Sequence, residues 1–268
     1  MSKYSRFLVS LIALIIGWSL NFSHPNSIAI ASPLSQVSQV FTTTPVTLAS
    51  LDSSLWETLL KRSYITAVED AKTADESEIS TTLQAISNNN PNLKWRDYQG
   101  QKQVLMVTWT SWNGYDNQVD LPVELSRETW VTAVPELKTF AQTLNLNPES
   151  LTLRLEQYLG LPPNNGKTKF VEMWVNASDL FRPCPDAEVN DTSCDFNFPE
   201  TVEPQHQTWI NNLQLVSYGD KGYPWTRLGY SYDWGSLDGE IGASEFVVRK
   251  GAKVIISSVK NTVDYSKL

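Results

Sequence analysis

The chain has 268 residues, 29 of them acidic and 21 basic, for a net charge of −8. No basic run could neutralise a phosphate backbone, which excludes nucleic acid as a partner, and the same acidity disfavours an anionic membrane face. Of the two histidines only His206 lies beyond the expected leader, so with the two cysteines the mature chain falls short of a four-ligand Cys/His zinc site, and no motif calls for a metal or another cofactor.

The chain order opens on an export leader, residues 1–31. Lys3 and Arg6 precede an apolar run, Phe7 to Leu20, and Ala29-Ile30-Ala31 supplies the small-x-small pattern that a signal peptidase cuts after. The run is shorter than the ~20 apolar residues a membrane span needs, so cleavage near Ala31 is expected rather than anchoring. Cleavage removes two basic residues and no acidic ones, giving a mature charge of −10. The expected location is the periplasm or the extracellular space, with no transmembrane segment in the mature chain. Residues 32–50, uncharged and rich in Ser, Thr, Pro and Val, read as a flexible spacer, leaving 51–268 as the folded domain.

A first helix is predicted near Ser54, where Ser54 and Glu57 have capping-box spacing ahead of Trp56, Leu59, Leu60 and Tyr64. A second is predicted from Thr73 and Glu76, with Ile79, Leu83 and Ile86 at helical spacing and Asn88 to Pro91 ending it. The period then changes. Leu93 to Tyr98 and Gln103 to Trp112 read as strands joined at Gln99-Gly100, and the few polar alternations in VLMVTWTSW predict a central strand covered on both faces. Asn113 to Asn117 reads as a loop and Thr129 to Ala133 as a short strand. Two helices follow, one opening at Pro135 and one capped by Asn147 with Pro148 in its first turn. Leu151, Leu155 and Leu159 line the second, and Gly160 closes it. Phe170 to Val175 is a strand. Pro204 to Tyr218 is a helix with Trp209, Leu213 and Val216 inward. Trp225 to Trp234, Ala243 to Val248 and Lys253 to Val259 form a predicted three-stranded meander with turns at Asp238-Gly239 and Lys250-Gly251. Mixed blocks of helix and strand predict a single α+β domain: a mixed or antiparallel sheet, packed helices and a C-terminal β-meander.

Cys184 and Cys194 are the sole cysteines, and a close isolated pair in an exported chain predicts a disulfide. The loop between them carries Asp186, Glu188, Asn190 and Asp191, with Asp195 just beyond, oxygen ligands of the kind calcium takes. Asp191 and Asn197 stand where an EF-hand needs Gly and Glu, so an acidic loop stiffened by its disulfide is the preferred reading. Asn176-Ala177-Ser178 and Asn190-Asp191-Thr192 match glycosylation acceptors, relevant only in a eukaryotic secretory route.

From Tyr218 to Gly235 six aromatic residues interleave with four glycines. Six rings carry roughly 900–1,500 Å² against a largest exposed apolar patch of about 300–600 Å² on a typical monomer, so most must be interior. Strand parity puts Leu228, Tyr230, Tyr232 and Trp234 on a core face. It leaves Arg227, Gly229, Ser231 and Asp233 on a second, polar face. Trp225, Arg227, Ser231 and Asp233 are therefore the candidate binding residues.

The strings LGLPP, DLFRPCPD, YPWTRLGYSYDWG and SEFVVRKGA resemble a family of exported bacterial proteins, including cyanobacterial ones, whose function is unassigned. The resemblance covers roughly the last 110 residues. It implies an envelope or extracellular location and nothing about catalysis, and it carries over no functional residues.

Catalytic motifs are absent: there is no G-x-S-x-G elbow or P-loop. His206, in the first turn of a helix near its apolar side, reads as structural. Carboxylates are plentiful, and Glu172 beside Trp174 or Asp233 beside Trp234 would suit a paired acid hydrolase if two converged. The leading expectation is a non-enzymatic binding or structural role, with a small molecule, glycan or envelope component as partner. The alternative is a carboxylate-dependent hydrolase, with glycans a possible substrate.

Overall fold

The molecule is built around β2 (Gln101–Thr110), whose alternate side chains are buried on both sides of one sheet. The computed structural model describes residues 53–219 and 221–267. The expected export leader, its expected cleavage point and the expected 32–50 spacer lie outside the described residues. The chain divides into two compact units, Met1–Arg62 and Ser63–Leu268. Of the first, residues 53–62 are described, as the opening turns of α1 (Ser53–Ala71). Ser54 lies one residue inside that helix rather than at its cap.

The second unit shows the α+β class. Its main sheet has eight strands in the order β3 (Pro122–Glu124), β10 (Lys253–Asn261), β5 (Lys169–Asn176), β2, β4 (Thr129–Ala133), β9 (Phe246–Val248) and β6 (Leu180–Phe181). β1 (Trp95–Tyr98) pairs separately with β2. Every ladder in it is antiparallel. The β1–β2 turn places Gln99 at φ 51° and Gly100 at φ 77°, as a two-residue primed turn requires.

Period-2 alternation assigns the two faces. Val104, Met106, Val171, Met173, Phe246, Val248, Val254 and Ile256 point into one core. Leu105, Val107, Trp109 and Phe170 point into the other, under α2 (Val134–Thr143), α3 (Pro148–Tyr158) and α5 (Thr262–Ser266). The cap of α3 forms as its sequence predicts: Ser150 N–H donates to Asn147 Oδ1 at 2.9 Å, and Gly160 ends the helix at φ 63°.

The first core is closed by irregular chain, which explains the largest departure from the predicted elements. The expected helix over residues 73–87 is instead one 3-10 turn, Glu76–Glu78, followed by extended chain. The capping box does form, but on Asp75 and Glu78, two residues later than the sequence pattern places it. Beyond it, Thr82 N–H donates to Ser80 Oγ at 3.2 Å, one of the local side-chain bonds that compete with helix. Leu83 and Ile86 N–H donate to the carbonyls of Thr192 and Val189 at 2.9 and 2.6 Å. The segment thus behaves as an added edge against the disulfide loop, its helical spacing notwithstanding.

The C-terminal meander is also corrected. Its strands exist but do not pair in succession. β7 (Tyr230–Tyr232) and β8 (Ile241–Ser244) make a separate two-stranded ribbon, β9 lies between β4 and β6, and β10 between β5 and β3. Phe246, Val248, Val254 and Ile256 are wholly buried in the first core, and their strands reach it by pairing with strands distant in sequence rather than with each other.

α4 (Pro204–Ser217) is rotated by about one residue from the expected orientation. It buries His206, Ile210 and Ser217, while Val216 is 69 % exposed and Trp209 only half-buried.

Cys184 and Cys194 are bonded, with Cα atoms 6.6 Å apart. Their loop wraps the fully buried Arg182, whose Nε donates to Glu188 O at 3.2 Å and Nη2 to Asp191 O at 3.0 Å. The loop's acids face a cation that the chain itself supplies, since Asp191, Glu188 and Asp186 all favour the charged Arg182 against its burial. His206 Nε2–H donates to the Cys184 carbonyl at 2.7 Å, fixing α4 to the loop.

Candidate functional site

The aromatic segment is a compact knot rather than a long strand. Arg227 and Gly229 take positive φ values of 62° and 76°, and Trp225 and Ser231 face each other across the resulting turn. Only Tyr230–Tyr232 is strand, so parity assigns the apolar residues correctly but not the polar ones. Leu228, Tyr230, Tyr232 and Trp234 are buried as expected, and so are Ser231 and Asp233. The expected open polar face does not exist, because a ribbon crossed by α3 on its second side has no solvent face.

The four candidate binding residues are not brought together. Arg227 Nη2 donates to the Lys72 carbonyl at 3.1 Å. Asp233 accepts two hydrogen bonds from Arg154, at 2.7 and 2.6 Å, and a third from Gly235 N–H at 3.1 Å. Ser231 Oγ donates to the Tyr158 carbonyl at 2.7 Å and accepts from Ala243 N–H at 2.9 Å. Ser231 and Trp225 border a cavity; Arg227 and Asp233 do not.

That cavity, of about 420 Å³, lies over the helix-covered face of the sheet. β2 and β4 supply one wall through Val107, Trp109, Trp130 and Thr132. The end of α3 supplies Leu159 to Leu161, and α4 contributes Leu213 and Ser217. The knot closes it with Tyr223, Pro224, Trp225 and Tyr232, while Lys167 and Glu245 bring the two charged side chains. Gly160 lets the backbones meet here: at its positive φ, a Cβ would stand 3.3 Å from the Tyr232 nitrogen.

The polar groups around this space are mostly committed to the protein. Trp109 Nε1–H donates to Thr262 Oγ1 at 3.0 Å, Trp225 Nε1–H to the Pro183 carbonyl at 3.1 Å, and Tyr232 OH to Asp70 Oδ2 at 2.7 Å. Ser217 Oγ donates to the Leu213 carbonyl at 2.8 Å. Glu245 differs. Its backbone N–H is paired with Gly229 O at 2.9 Å, but its Oε2 is out of contact with solvent and has no hydrogen-bond partner. Burial alone pushes its carboxyl up to about 8. Lys167 Nζ donates to the Trp109 carbonyl at 3.0 Å, and burial lowers its pKa.

A neighbouring buried acid shows the contrast. Glu136, in the first turn of α2, accepts from Ser244 N–H and Oγ at 3.0 and 3.1 Å and from Thr132 Oγ1 at 3.3 Å. It ties three elements together and is satisfied as a structural group. Glu172, one of the two acids singled out from sequence, lies beside the Tyr265 phenol. Among the described residues, Glu245 is the one acid in the cavity wall, and no three His, Cys, Asp or Glu side chains gather as a metal site.

Compared with protein-family models, curated proteins and solved structures, the chain finds no match in any of the three.

Trp109, Trp130, Lys167 and Glu245 are the wall residues that sequence reasoning passed over. Glu245 alone had a usable signal: an isolated acid directly before the apolar Phe246-Val247-Val248, where a strand interior disfavours charge.

Proposed function

We propose that this chain is a non-enzymatic binding protein of an exported compartment, holding a small molecule in the 420 Å³ cavity. The observation that carries the reading is the cavity itself. It is mainly apolar and aromatic, of ligand size, and one buried carboxylate oxygen aims no bond at the protein. Export rests on the leader at residues 1–31 and the resemblance of the C-terminal strings. The Cys184–Cys194 disulfide is compatible with it, as is the lack, among the described residues, of any helix long and apolar enough to cross a membrane. A paired-acid hydrolase is less well supported: Asp233 is held by Arg154, and the cavity wall offers one carboxyl rather than two.

A thermal-shift panel of amines, amino acids, sugars and short peptides tests the binding reading, run on the wild type and on Ala243→Phe, which fills the cavity. A ligand at a hundred times its Kd adds about 2.7 kcal/mol, roughly 5–10 °C in a chain of this size. Hits that stabilise the wild type and not the variant are expected. An empty panel, or hits that shift both proteins alike, would overturn the reading. Export is checked separately by the mass of the secreted chain, expected to begin at Ser32.

A further inference from the structure

Resting on that binding reading, we infer that the ligand is an organic cation whose positively charged nitrogen sits on Glu245 among the indole rings of Trp109, Trp130 and Trp225. Donor supply is the first reason. The N–H groups of Trp109 and Trp225 and the hydroxyls of Tyr232 and Ser231 already donate to protein acceptors. The donor left over in the wall is the Lys167 ammonium, which gives one of its three N–H groups to the Trp109 carbonyl; those indole and hydroxyl donors are spent. What the cavity also leaves open is Glu245 Oε2, an acceptor once the carboxyl is ionised.

The choice of a carboxyl is the second reason. A neutral polar ligand would be served by an amide or hydroxyl, which are far less costly to bury than an acid. Only a positive ligand recovers that cost, because an opposite charge within a few ångströms restores the ionised carboxylate. The rings are the third. Indole faces carry negative potential, attract cations within about 6 Å of the ring centre, and do so most strongly where water is excluded.

The charged and titratable groups around Glu245 leave this assignment intact. In the cavity wall these are Lys167 and the phenols of Tyr223 and Tyr232. On packed elements they are Glu136, which bonds Ser244, Arg182, which stacks on Phe246, and Arg227 in the turn whose Gly229 accepts the Glu245 N–H. None contributes to the raised carboxyl, which is due to burial alone, and Glu245 has no part in the lowered Lys167. Lys167 therefore does not neutralise Glu245.

Choline and its uncharged isostere 3,3-dimethyl-1-butanol provide the test, titrated by tryptophan fluorescence and calorimetry at pH 7 and pH 9. With the carboxyl at about 8, about a tenth of the sites are ionised at pH 7, so choline should bind roughly tenfold more tightly at pH 9. It should also outcompete the isostere at least tenfold at pH 9. Glu245→Gln should abolish both the preference and the pH dependence. That variant also removes a buried acid, so it is expected to fold. Equal or tighter binding of the isostere overturns the cation inference and leaves the binding reading standing, as does choline affinity unchanged in Glu245→Gln. If choline does not bind, the inference fails, and the separate panel with Ala243→Phe decides the reading beneath it.

Discussion

Asp233 illustrates how a residue chosen for its chemistry turns out to hold structure, and substitution gives that role a magnitude. Its side chain is 4 % exposed and is gripped by Arg154, which is 23 % exposed and lies over the Phe140 ring at 4.9 Å. Removing one member of a buried pair typically costs 3–5 kcal/mol. The two deletions are unequal here. Asp233→Asn leaves Arg154 charged, but its partial exposure and its ring contact accommodate that charge, and the amide oxygen can still accept from Gly235 N–H. A cost of about 2 kcal/mol follows. Arg154→Met strands a nearly inaccessible carboxylate with a single remaining donor, and the cost rises to about 3–4 kcal/mol. Urea unfolding followed by circular dichroism measures both, with the slope checked for constancy. The double variant should be less destabilised than the sum of the two singles, because neither charge is then left alone. A loss below 0.5 kcal/mol for Asp233→Asn, or the reverse order, would refute the argument. Neither residue borders the cavity, so ligands found in the panel should still bind the folded variants.

Three further outcomes are expected. The Glu245 carboxyl rises from an ordinary 4.5 to about 8, so the unfolded chain ionises it over a range where the fold keeps it protonated. Stability is therefore lost as pH climbs from about 4.5 to about 8, on the order of 3 kcal/mol by pH 7. Glu245→Gln should match the wild type near pH 4.5 and exceed it at pH 8 in thermal melts; parallel pH profiles would contradict this. Replacing both Cys184 and Cys194 by Ser should cost about 3 kcal/mol in urea unfolding and speed amide exchange at Leu83 and Ile86, whose N–H groups bond to the loop. An unchanged midpoint would mean the loop is held without its bridge. Gly242→Ala directs a methyl at the carbonyl oxygens of Tyr158 and Ser231, so a loss of about 1–3 kcal/mol is expected, and a wild-type melting temperature would count against this packing.

What was legible in the sequence follows from what periodicity records. The central position of β2 showed because both of its faces are apolar, and α3 showed because Asn147, Pro148 and Gly160 each perform a local backbone task. Local rules failed where a distant partner decided the conformation. Residues 79–86 have helical spacing, yet the carbonyls of Val189 and Thr192 offered their N–H groups a better arrangement, one available only after the disulfide loop is in place. Parity failed at Arg227 and Gly229 for a related reason, since two residues at positive φ end the alternation on which it depends. The cavity was the least legible feature. Hydrophobic patterns identify side chains that leave water but not whether they fill the space they enclose. Trp109, in a strand expected to be covered on both faces, and Trp225, expected at a binding edge, are both core by burial, yet both also border a void. Only a residue that violates the pattern can mark such a place in advance. Glu245 is that residue, because a fold gains nothing from a carboxylate oxygen it keeps from water without a partner, and the cost of keeping it there points to a charge that arrives from outside.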